Sequence, residues 1–212
     1  MITEAAQVQR TEDWYEARMG KFTCSEVHNL MTDPRSKADK KAGKLSKSAQ
    51  SYIYKKVAET LTGKKREFTS RETEWGEEYE PYARTMYEQV FDEVTEAGFI
   101  YDGKLGGSPD GLVGEKGGIE IKCPYTYEGH VENLLLTPET FKEAHKEYYW
   151  QMQGLMKVTA REWWDFVSFH PDFPEEYCLQ VIRIIRNEDD IKLMNGKVEK
   201  ACLMRDEILK KL

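Results

Sequence analysis

The spacing of apolar residues predicts three long helices in this chain. Apolar side chains recur every three or four positions over Ser46–Leu61, Thr73–Phe91 and Pro138–Val158. Gly63 follows the first segment as a helix-ending residue, and Pro81 predicts a kink or a true start within the second. Because each segment has one apolar face, that face is predicted to pack in the core.

Capping residues predict where further helices begin. The predicted starts are Thr11, before a short helix that Gly20 ends; Thr23 with Glu26, at the spacing of a capping box; Thr137, with Pro138 in the first helical position; and Asn187, before a helix that runs to the end of the sequence. These signals leave several segments between the helices for strands.

Those intervening segments predict a sheet. Apolar and polar residues alternate from Ile119 to Cys123, so a strand there places Glu120 and Lys122 on one face. Further strands are predicted at Val94–Tyr101, Glu162–Phe169 and Tyr177–Ile185. Strands among helices indicate a mixed α/β domain with a central mixed β-sheet flanked by helices. With 212 residues and 40% hydrophobic content, residues 1–212 are predicted to form a single domain.

The segment around Asp110 and Glu120 combines residues that suit metal-assisted chemistry. Pro109–Gly111 is a turn sequence and the connection 114–118 is short, so Asp110 is predicted to fold back beside Glu120. Two carboxylates at a strand end suit a hard divalent cation such as Mg²⁺. Lys122 beside them can hold an attacking hydroxide or phosphate oxygens, which fits phosphodiester hydrolysis. An exposed hairpin with an incidental Glu/Lys pair is the simpler explanation of Glu120 and Lys122 alone.

Composition narrows the class of protein. No apolar run approaches the roughly 18 residues of a membrane span, and the first residues lack the layout of a secretory signal, so a cytoplasmic location is expected. The four cysteines are widely spaced and lack a C-x-x-C motif. Reduced, buried thiols are therefore predicted, in preference to disulfides or zinc ligands, for Cys24, Cys123, Cys178 and Cys202.

The net charge of −7 is unevenly distributed. Residues 1–66 carry 14 Lys and Arg against 8 Asp and Glu, a net of +6, whereas residues 67–212 carry 17 against 30, a net of −13. Six of these 14 basic residues lie close together in the sequence, namely Arg35, Lys37, Lys40, Lys41, Lys44 and Lys47. Because local patches set the attraction to phosphates, this segment is either a DNA-tracking loop or a solvated surface loop.

Two helices carry candidate phosphate contacts. Ser25 is predicted in the first turn of the Thr23 helix, where free N–H groups favour an anion, and Arg18 lies just before it. An ordinary capped helix explains the same residues. On the Pro138–Val158 helix, Gln151 shares a stripe with apolar neighbours, so it is either an internal hydrogen bonder or a contact to phosphate or base.

The combined motifs resemble a known family. Ser108–Gly111 followed by Glu120–Pro124 matches the signature of PD-(D/E)xK nucleases, and the chain resembles the lambda-exonuclease, or YqaJ-type viral recombinase, branch of that superfamily. Further motifs resemble that branch in order and spacing: Arg18–Lys21, Thr23–Asn29, Trp75-Gly76, Tyr79-Glu80, Ala83–Thr85, Gln151-x-Gln153 and Val158-Thr159. Together they extend over most of residues 10–186.

The resemblance implies a restriction-endonuclease-like core and specific residue roles. It implies that Asp110, Glu120, Glu80 and the carbonyl of Ile121 are Mg²⁺ ligands, and that Lys122 is the catalytic lysine. It implies two ions for each site, with Mn²⁺ as a substitute. It implies a 5′-phosphate pocket formed by Arg18, Ser25, Ser108 and Gln151, and a contact of Arg35 with the DNA groove.

The resemblance also implies an activity and partners. Such enzymes digest one strand of linear duplex DNA from its 5′ end as ring-shaped homotrimers, and they leave a 3′ overhang for a single-strand annealing protein. A phage or prophage origin in a bacterial host follows. Where the family can present an apolar wedge before Trp75, this chain has the polar Thr73 and Glu74.

Two other classes of function fit the same sequence. A metal-dependent endonuclease of the same fold, such as a restriction enzyme or a resolvase, would cut closed circular DNA. A DNA-binding module without catalysis would lack any Mg²⁺-dependent activity. Carboxylates facing a phosphate without a metal would hinder such a module, so the exonuclease is the favoured prediction.

Overall fold

The computed structural model describes residues 3–6, 8–64 and 70–212. The helices are α1 (Glu12–Arg18), α2 (Lys37–Lys41), α3 (Lys47–Thr62), α4 (Arg71–Val90), α5 (Tyr127–Leu134), α6 (Pro138–Ala144), α7 (Lys146–Thr159) and α8 (Glu188–Lys211), and a 3₁₀ helix covers Cys24–Asn29. The strands are β1 (Thr3–Ala6), β2 (Phe22–Thr23), β3 (Val94–Thr95), β4 (Phe99–Tyr101), β5 (Leu105–Gly107), β6 (Gly111–Val113), β7 (Gly117–Lys122), β8 (Trp163–Phe169) and β9 (Leu179–Ile185).

The strands form two sheets, and helices flank both. The larger sheet has the order β3-β6-β7-β8-β9, in which β7 and β8 are parallel and the other pairs are antiparallel. The smaller sheet has the order β1-β4-β5-β2. The predicted mixed α/β architecture, with a mixed sheet flanked by helices, is confirmed, and the smaller sheet is present in addition to it.

The two faces of the larger sheet pack on different helices. Phe166 of β8 lies in the main core with residues of α3, α7 and α8. Ile119 and Ile121 of β7 pack with Ala83 and Tyr87 of α4 on the opposite face. Because side chains alternate along a strand, Glu120 and Lys122 point to the α7 side, as the sequence predicts.

The predicted Asp110 hairpin is confirmed. Strands β6 and β7 pair antiparallel, with Gly111 opposite Ile119 and Val113 opposite Gly117. Gly118 has no room for a side chain, because an added Cβ would lie 2.4 Å from the ring of Trp164. The hairpin therefore packs closely beside β8, and this packing fixes the position of Asp110 relative to the end of β7.

Several predicted helix ends are confirmed. Ser46 caps α3 through its hydroxyl, and Gly63 ends that helix in the left-handed conformation, with φ of +62°. The Asn187 side chain accepts a hydrogen bond from Asp190 N at 3.0 Å and starts α8. Thr137 caps α6, with Pro138 in the first turn.

Other predicted elements differ from the structure. The capping box of Thr23 and Glu26 is wrong: a 3₁₀ helix follows, and the Glu26 carboxylate binds Lys55 at 2.6 Å instead. The single helix Pro138–Val158 is wrong, because His145 breaks it with φ of −126° and ψ of 63°. The basic segment that was expected to be a loop contains the short helix α2.

The single strand Val94–Tyr101 is also wrong. Its first part is β3, which pairs with β6 in the larger sheet, and its second part is β4, which pairs with β1 and β5 in the smaller one. In α4, Pro81 is neither a start nor a break, since the helix continues through it. All four cysteines are free thiols, as predicted; Cys24 and Cys178 are buried, as also predicted, whereas Cys123 and Cys202 are only partly buried.

Candidate active site

A cleft of about 520 Å³ opens where β7 ends. Its lining includes Glu80 from α4, Asp110 from the loop before β6, and Ile121 and Lys122 from β7. Residues of α4 and of the β6–β7 hairpin therefore share one cleft. Three further polar residues of the lining come from α5 and from the region after it, namely Glu132, Asn133 and His145.

Asp110, Glu120 and Lys122 form the acidic end of this cleft. The Asp110 Oδ2 atom accepts a hydrogen bond from the backbone N–H of Ile121 at 2.7 Å. The Lys122 ammonium lies 2.5 Å from Glu120 Oε1 and 5.1 Å from the ring centre of Tyr148. The predicted side-by-side arrangement of the two carboxylates and the lysine is thus present.

The Glu120 carboxylate is buried and incompletely paired. Its exposed fraction is 1%, and Oε1 receives hydrogen bonds from both Lys122 and Gln151, the latter at 2.6 Å. Among the described residues, its Oε2 atom has no hydrogen-bond partner. A buried carboxylate oxygen without a donor costs free energy, and a cation beside it would remove that cost.

Burial and repulsion shift the protonation of these groups. Burial first, and then the neighbouring Glu120 charge, raise the pKa of Asp110 to about 7. Burial also raises the pKa of Glu120, although the Lys122 charge opposes the shift. For Lys122, burial lowers the pKa, but the two carboxylates outweigh that effect and raise it. The lysine therefore stays charged, and burial disfavours full ionisation of the two acids.

Glu80 is held by two arginines. Its Oε2 atom accepts from Arg10 at 2.9 Å and its Oε1 atom from Arg84 at 3.1 Å. Burial and the Asp110 charge raise the pKa of Glu80, against the effect of both arginines. Arg84 is four residues from Glu80 on α4, whereas Arg10 reaches it from the segment before α1.

The residues present fit a divalent cation. Asp110, Glu120 and Glu80 supply carboxylate oxygens, the ligands that Mg²⁺ prefers, and the free Oε2 of Glu120 is an unused ligand atom. In the described part of the chain, no three acidic, His or Cys side chains form a finished metal centre. Arg10 and Arg84 bond the two Glu80 oxygens, Lys122 and Gln151 share Glu120 Oε1, and the Ile121 N–H bonds Asp110 Oδ2.

Arg18 and Ser108 form a donor pair near the cleft. The Ser108 hydroxyl oxygen accepts from Arg18 Nη1 at 2.9 Å and from Trp14 Nε1 at 2.8 Å. The Arg18 guanidinium lies over the Trp14 ring, 4.3 Å from its centre. With two donors on its oxygen, the hydroxyl hydrogen of Ser108 is available to a third group. An anion would therefore meet an Arg and a Ser donor together.

The other predicted phosphate and DNA contacts lie in different settings. Gln151 donates to Glu120, and so it contacts the carboxylate cluster. Ser25 is exposed in the 3₁₀ helix, with its hydroxyl 3.4 Å from that of Thr23. Arg35 is exposed on the segment before α2. Arg18 and Ser108 are the two members of the predicted pocket that are in direct contact.

Sequence reasoning did not single out Arg10 or Trp14 as site residues. Trp14 precedes Arg18 by four positions, so their helical stacking is a signal that the sequence contains. Arg10 carries no comparable signal, since its contact with Glu80 joins residues that are 70 positions apart. A long-range contact of this kind depends on the fold.

A buried hydrogen-bond chain leads away from the cleft. The Tyr177 carbonyl accepts from His130 Nε2 at 2.8 Å, so His130 Nδ1 accepts from the Ser168 hydroxyl at 2.9 Å. Ser168 in turn accepts from Asn133 Nδ2, and Asn133 Oδ1 accepts from His145 Nε2 at 2.7 Å. The carbonyl fixes the direction of every bond, and the chain ties α5 to β8 and to the helix break at His145.

Among the described residues, no helix has the length and apolar character required to cross a lipid bilayer.

The fold and the acidic cleft define a protein of the restriction-endonuclease-like class. The profile of the YqaJ-like viral recombinase domain matches residues 13–162, which is more than half of the chain. An alkaline exonuclease from Laribacter hongkongensis, LHK-Exo, is 33% identical, with 95% of each chain covered and a TM-score of 0.79. The chain therefore belongs to the YqaJ-like viral recombinase family, as the sequence motifs predict.

Two further solved structures are similar. LHK-Exo in complex with dAMP is 34% identical over 95% of each chain, with a TM-score of 0.78. A phage-related exonuclease from Haemophilus somnus 129PT is 22% identical, covers 90% of this chain and 96% of its own, and has a TM-score of 0.77. The second likeness concerns the fold alone. A comparison with curated proteins gave no match.

Proposed function

We propose that the protein is a Mg²⁺-dependent exonuclease that digests one strand of linear double-stranded DNA from a 5′-phosphorylated end and leaves a 3′ single-stranded overhang. Membership of the family and the likeness to LHK-Exo support a DNA exonuclease. The finer proposal, digestion from a 5′-phosphorylated end, rests on the short separation in sequence between the Arg18–Ser108 pair and the carboxylate site. Ser108, which bonds Arg18, lies two residues before Asp110.

The residues of the cleft divide the chemical work. In this proposal Asp110, Glu120, Glu80 and the Ile121 carbonyl hold Mg²⁺, which supplies Lewis-acid stabilisation of the phosphate when bound. The Lys122 ammonium, oriented by Glu120 and the Tyr148 ring, holds the nucleophile or a phosphate oxygen. Gln151 fixes the Glu120 carboxylate from α7.

The Arg18–Ser108 pair distinguishes a chain end from internal DNA. A terminal phosphate carries more negative charge than an internal phosphodiester, and charge-assisted hydrogen bonds from Arg18 and Ser108 reward that difference. Ser25 is proposed as a further contact of this pocket, and Arg35 as a contact to the duplex. The dAMP in the LHK-Exo complex is a mononucleotide, the size of product that stepwise digestion releases.

The proposal includes the assembly and partners of the enzyme. In this proposal the enzyme is a ring-shaped homotrimer around duplex DNA. Each active site holds two Mg²⁺ ions, with Mn²⁺ as a substitute, and a single-strand annealing protein binds the overhang. A phage or prophage origin and a location in the bacterial cytoplasm belong to the same proposal.

The test is digestion of linear duplex DNA labelled separately at each strand end. We expect release of nucleotides from the 5′ end in Mg²⁺, no activity in EDTA, and no cutting of closed circular DNA. Asp110→Ala and Lys122→Ala are expected to abolish digestion with the fold intact. Release from the 3′ end would contradict the polarity, and cutting of closed circles would identify an endonuclease instead.

A further inference from the structure

The segment before α1 is fixed against the active site by consecutive contacts. The Gln9 side-chain amide donates to Ala97 O at 2.8 Å and to Pro109 O at 2.6 Å. Thr11 donates to Val8 O at 2.9 Å and caps α1. The backbone on both sides of Arg10 is therefore fixed, and Gln9 is bonded to the residue that precedes Asp110.

Between these two contacts, Arg10 has a backbone conformation that residues other than glycine usually avoid. Its φ of +64° lies in the left-handed region, which costs a non-glycine residue free energy. Such conformations persist where the surroundings determine them, and they concentrate at functional sites. The result is that the Arg10 side chain enters the cleft, whose lining it shares with Asp110 and Lys122.

Inside the cleft, Arg10 binds a predicted metal ligand. Its Nη2 atom donates to Glu80 Oε2 at 2.9 Å, and half of the Arg10 side chain remains exposed. A guanidinium and a divalent cation compete for the same carboxylate oxygen. When Glu80 takes part in ion binding, this contact is lost.

The two arginines that bind Glu80 differ in the carboxylate partners that they keep when a cation takes their place on Glu80. Arg84 also binds Glu96 at 2.5 Å, so it keeps a carboxylate partner. The other acidic partner that the described residues offer Arg10 is Glu77, at 3.9 Å and about half exposed. Arg10 is therefore the guanidinium that becomes available in a cleft containing both the ion and the substrate phosphate.

We propose that Arg10 is a further DNA-binding residue, held by Glu80 in the metal-free protein and transferred to a DNA phosphate when a divalent cation takes the Glu80 carboxylate. The inference rests on the proposed nuclease function of this cleft. It makes ion binding and DNA binding depend on each other through one side chain.

The first test measures Ca²⁺ binding without DNA by calorimetry. Ca²⁺ is expected to bind without supporting turnover, because its looser coordination positions water poorly. Arg10→Gln is expected to tighten Ca²⁺ binding about two- to fivefold, the effect of losing one partly exposed ion pair. In a Glu80→Gln background, the same change is expected to have no effect.

The second test measures binding of blunt duplex DNA over a range of salt concentrations. In Ca²⁺, Arg10→Gln is expected to weaken binding and to reduce the salt slope by about one, the value for one lost phosphate contact. In EDTA it is expected to leave binding unchanged, because Arg10 is then held by Glu80. Arg10→Lys keeps the charge and is expected to retain the slope.

The control is Lys116→Gln, which removes an exposed ion pair with Glu162 at the other end of β7. It is expected to change neither measurement. Equal Ca²⁺ affinity in wild type and Arg10→Gln would overturn the exchange, and so would an equal loss of DNA binding with and without Ca²⁺. Both tests measure binding and not cleavage. Cleavage from the 3′ end would therefore contradict the proposed function without changing how these binding results are interpreted.

Discussion

Asp110 and Glu120 make the metal-free cleft electrostatically unfavourable. Burial raises the pKa of both carboxyl groups, and the charge of Glu120 raises the pKa of Asp110 further. Glu120 also has an oxygen without a donor among the described residues. Lys122 offsets only part of this charge. A site of this kind favours cation binding because the same repulsion is relieved when an ion enters.

Asp110→Asn is expected to stabilise the metal-free protein at pH 8 while abolishing cleavage. An aspartate titrates near 3.9 when unfolded, whereas the pKa of Asp110 in the fold is about 7. Between these pH values the unfolded chain loses its proton first, so wild-type stability falls as pH rises to about 7 and stays reduced above it. Asparagine retains an oxygen to accept from Ile121 N and removes this loss.

Urea unfolding in EDTA measures the effect. We expect Asp110→Asn to exceed wild type by about 1–3 kcal/mol at pH 8 and to approach it at about pH 3, where Asp110 is mostly protonated in both the folded and the unfolded chain. With excess Mg²⁺ at pH 8, wild type should gain stability and the variant should gain less. A variant that is less stable than wild type at pH 8 in EDTA would refute the repulsion.

Arg18→Ala is expected to erase the preference for a 5′-phosphoryl end. Arg18 donates to Ser108, and charge-assisted hydrogen bonds of this type contribute roughly 1.5–3 kcal/mol each. The carboxylates and Lys122 are untouched, so digestion of 5′-hydroxyl duplex should change much less. Initial rates on both ends, for both proteins, give the answer. Equal wild-type rates on the two ends would remove the case for Arg18 as an end sensor.

At the scale of elements, α4 contains an unfavourable residue that the fold tolerates. Pro81 lies inside the helix and has no N–H to donate to the carbonyl four residues earlier. Pro81→Ala is therefore expected to raise the free energy of unfolding by about 1–3 kcal/mol, within the range of helix-interior proline costs. Urea unfolding tests this, with Thr85→Ala as a comparison on the same helix. No gain from Pro81→Ala would mean that the carbonyl is satisfied in another way.

The elements that the sequence predicts well are those that local signals define. Ser46 and Gly63 mark the ends of α3, and Asn187 starts α8, because caps act through neighbouring backbone groups. The break at His145 has no such signal. It coincides with the bond from His145 to Asn133 on α5, a contact that exists only after the helices pack.

The division of residues 94–101 between two strands could not be predicted for a similar reason. Val94 and Phe99 look like one strand in sequence, yet they pair with different sheets, since pairing depends on distant partners. The candidate site was more predictable. Asp110, Glu120 and Lys122 lie in one hairpin, where alternation and a short turn fix their relative positions. Arg10 lies 100 residues before Asp110 in the sequence, and no local sequence pattern predicts that it contacts the site.

At the scale of the whole molecule, acidic net charge coexists with a basic segment. Arg35, Lys37 and Lys41 are exposed between the 3₁₀ helix and α3. Lys40 and Lys44 in the same segment form ion pairs with Asp33 and Asp39, which reduces their charge toward solvent. Attraction to DNA phosphates should therefore depend mainly on the first three.

Replacing Arg35, Lys37 and Lys41 together by Gln is expected to reduce the salt slope of DNA binding by about two to three, since each phosphate contact contributes roughly 0.9. Binding measured from low to moderate salt, in Ca²⁺ and on duplexes of different sequence, tests this. The loss should be uniform across sequences, because phosphate contacts carry no base information. An unchanged slope would classify the segment as a solvated surface loop.

The position of Trp14 gives this protein a built-in optical probe. The indole lies under the Arg18 guanidinium and donates its N–H to Ser108, so both contacts change the field at the chromophore. An anion that engages Arg18 alters that field, and the emission of Trp14 shifts with it. The difference in fluorescence between wild type and Trp14→Phe isolates this signal from the four other tryptophans. Stopped-flow mixing with DNA ends can then time the arrival of a terminal phosphate separately from the cleavage that follows.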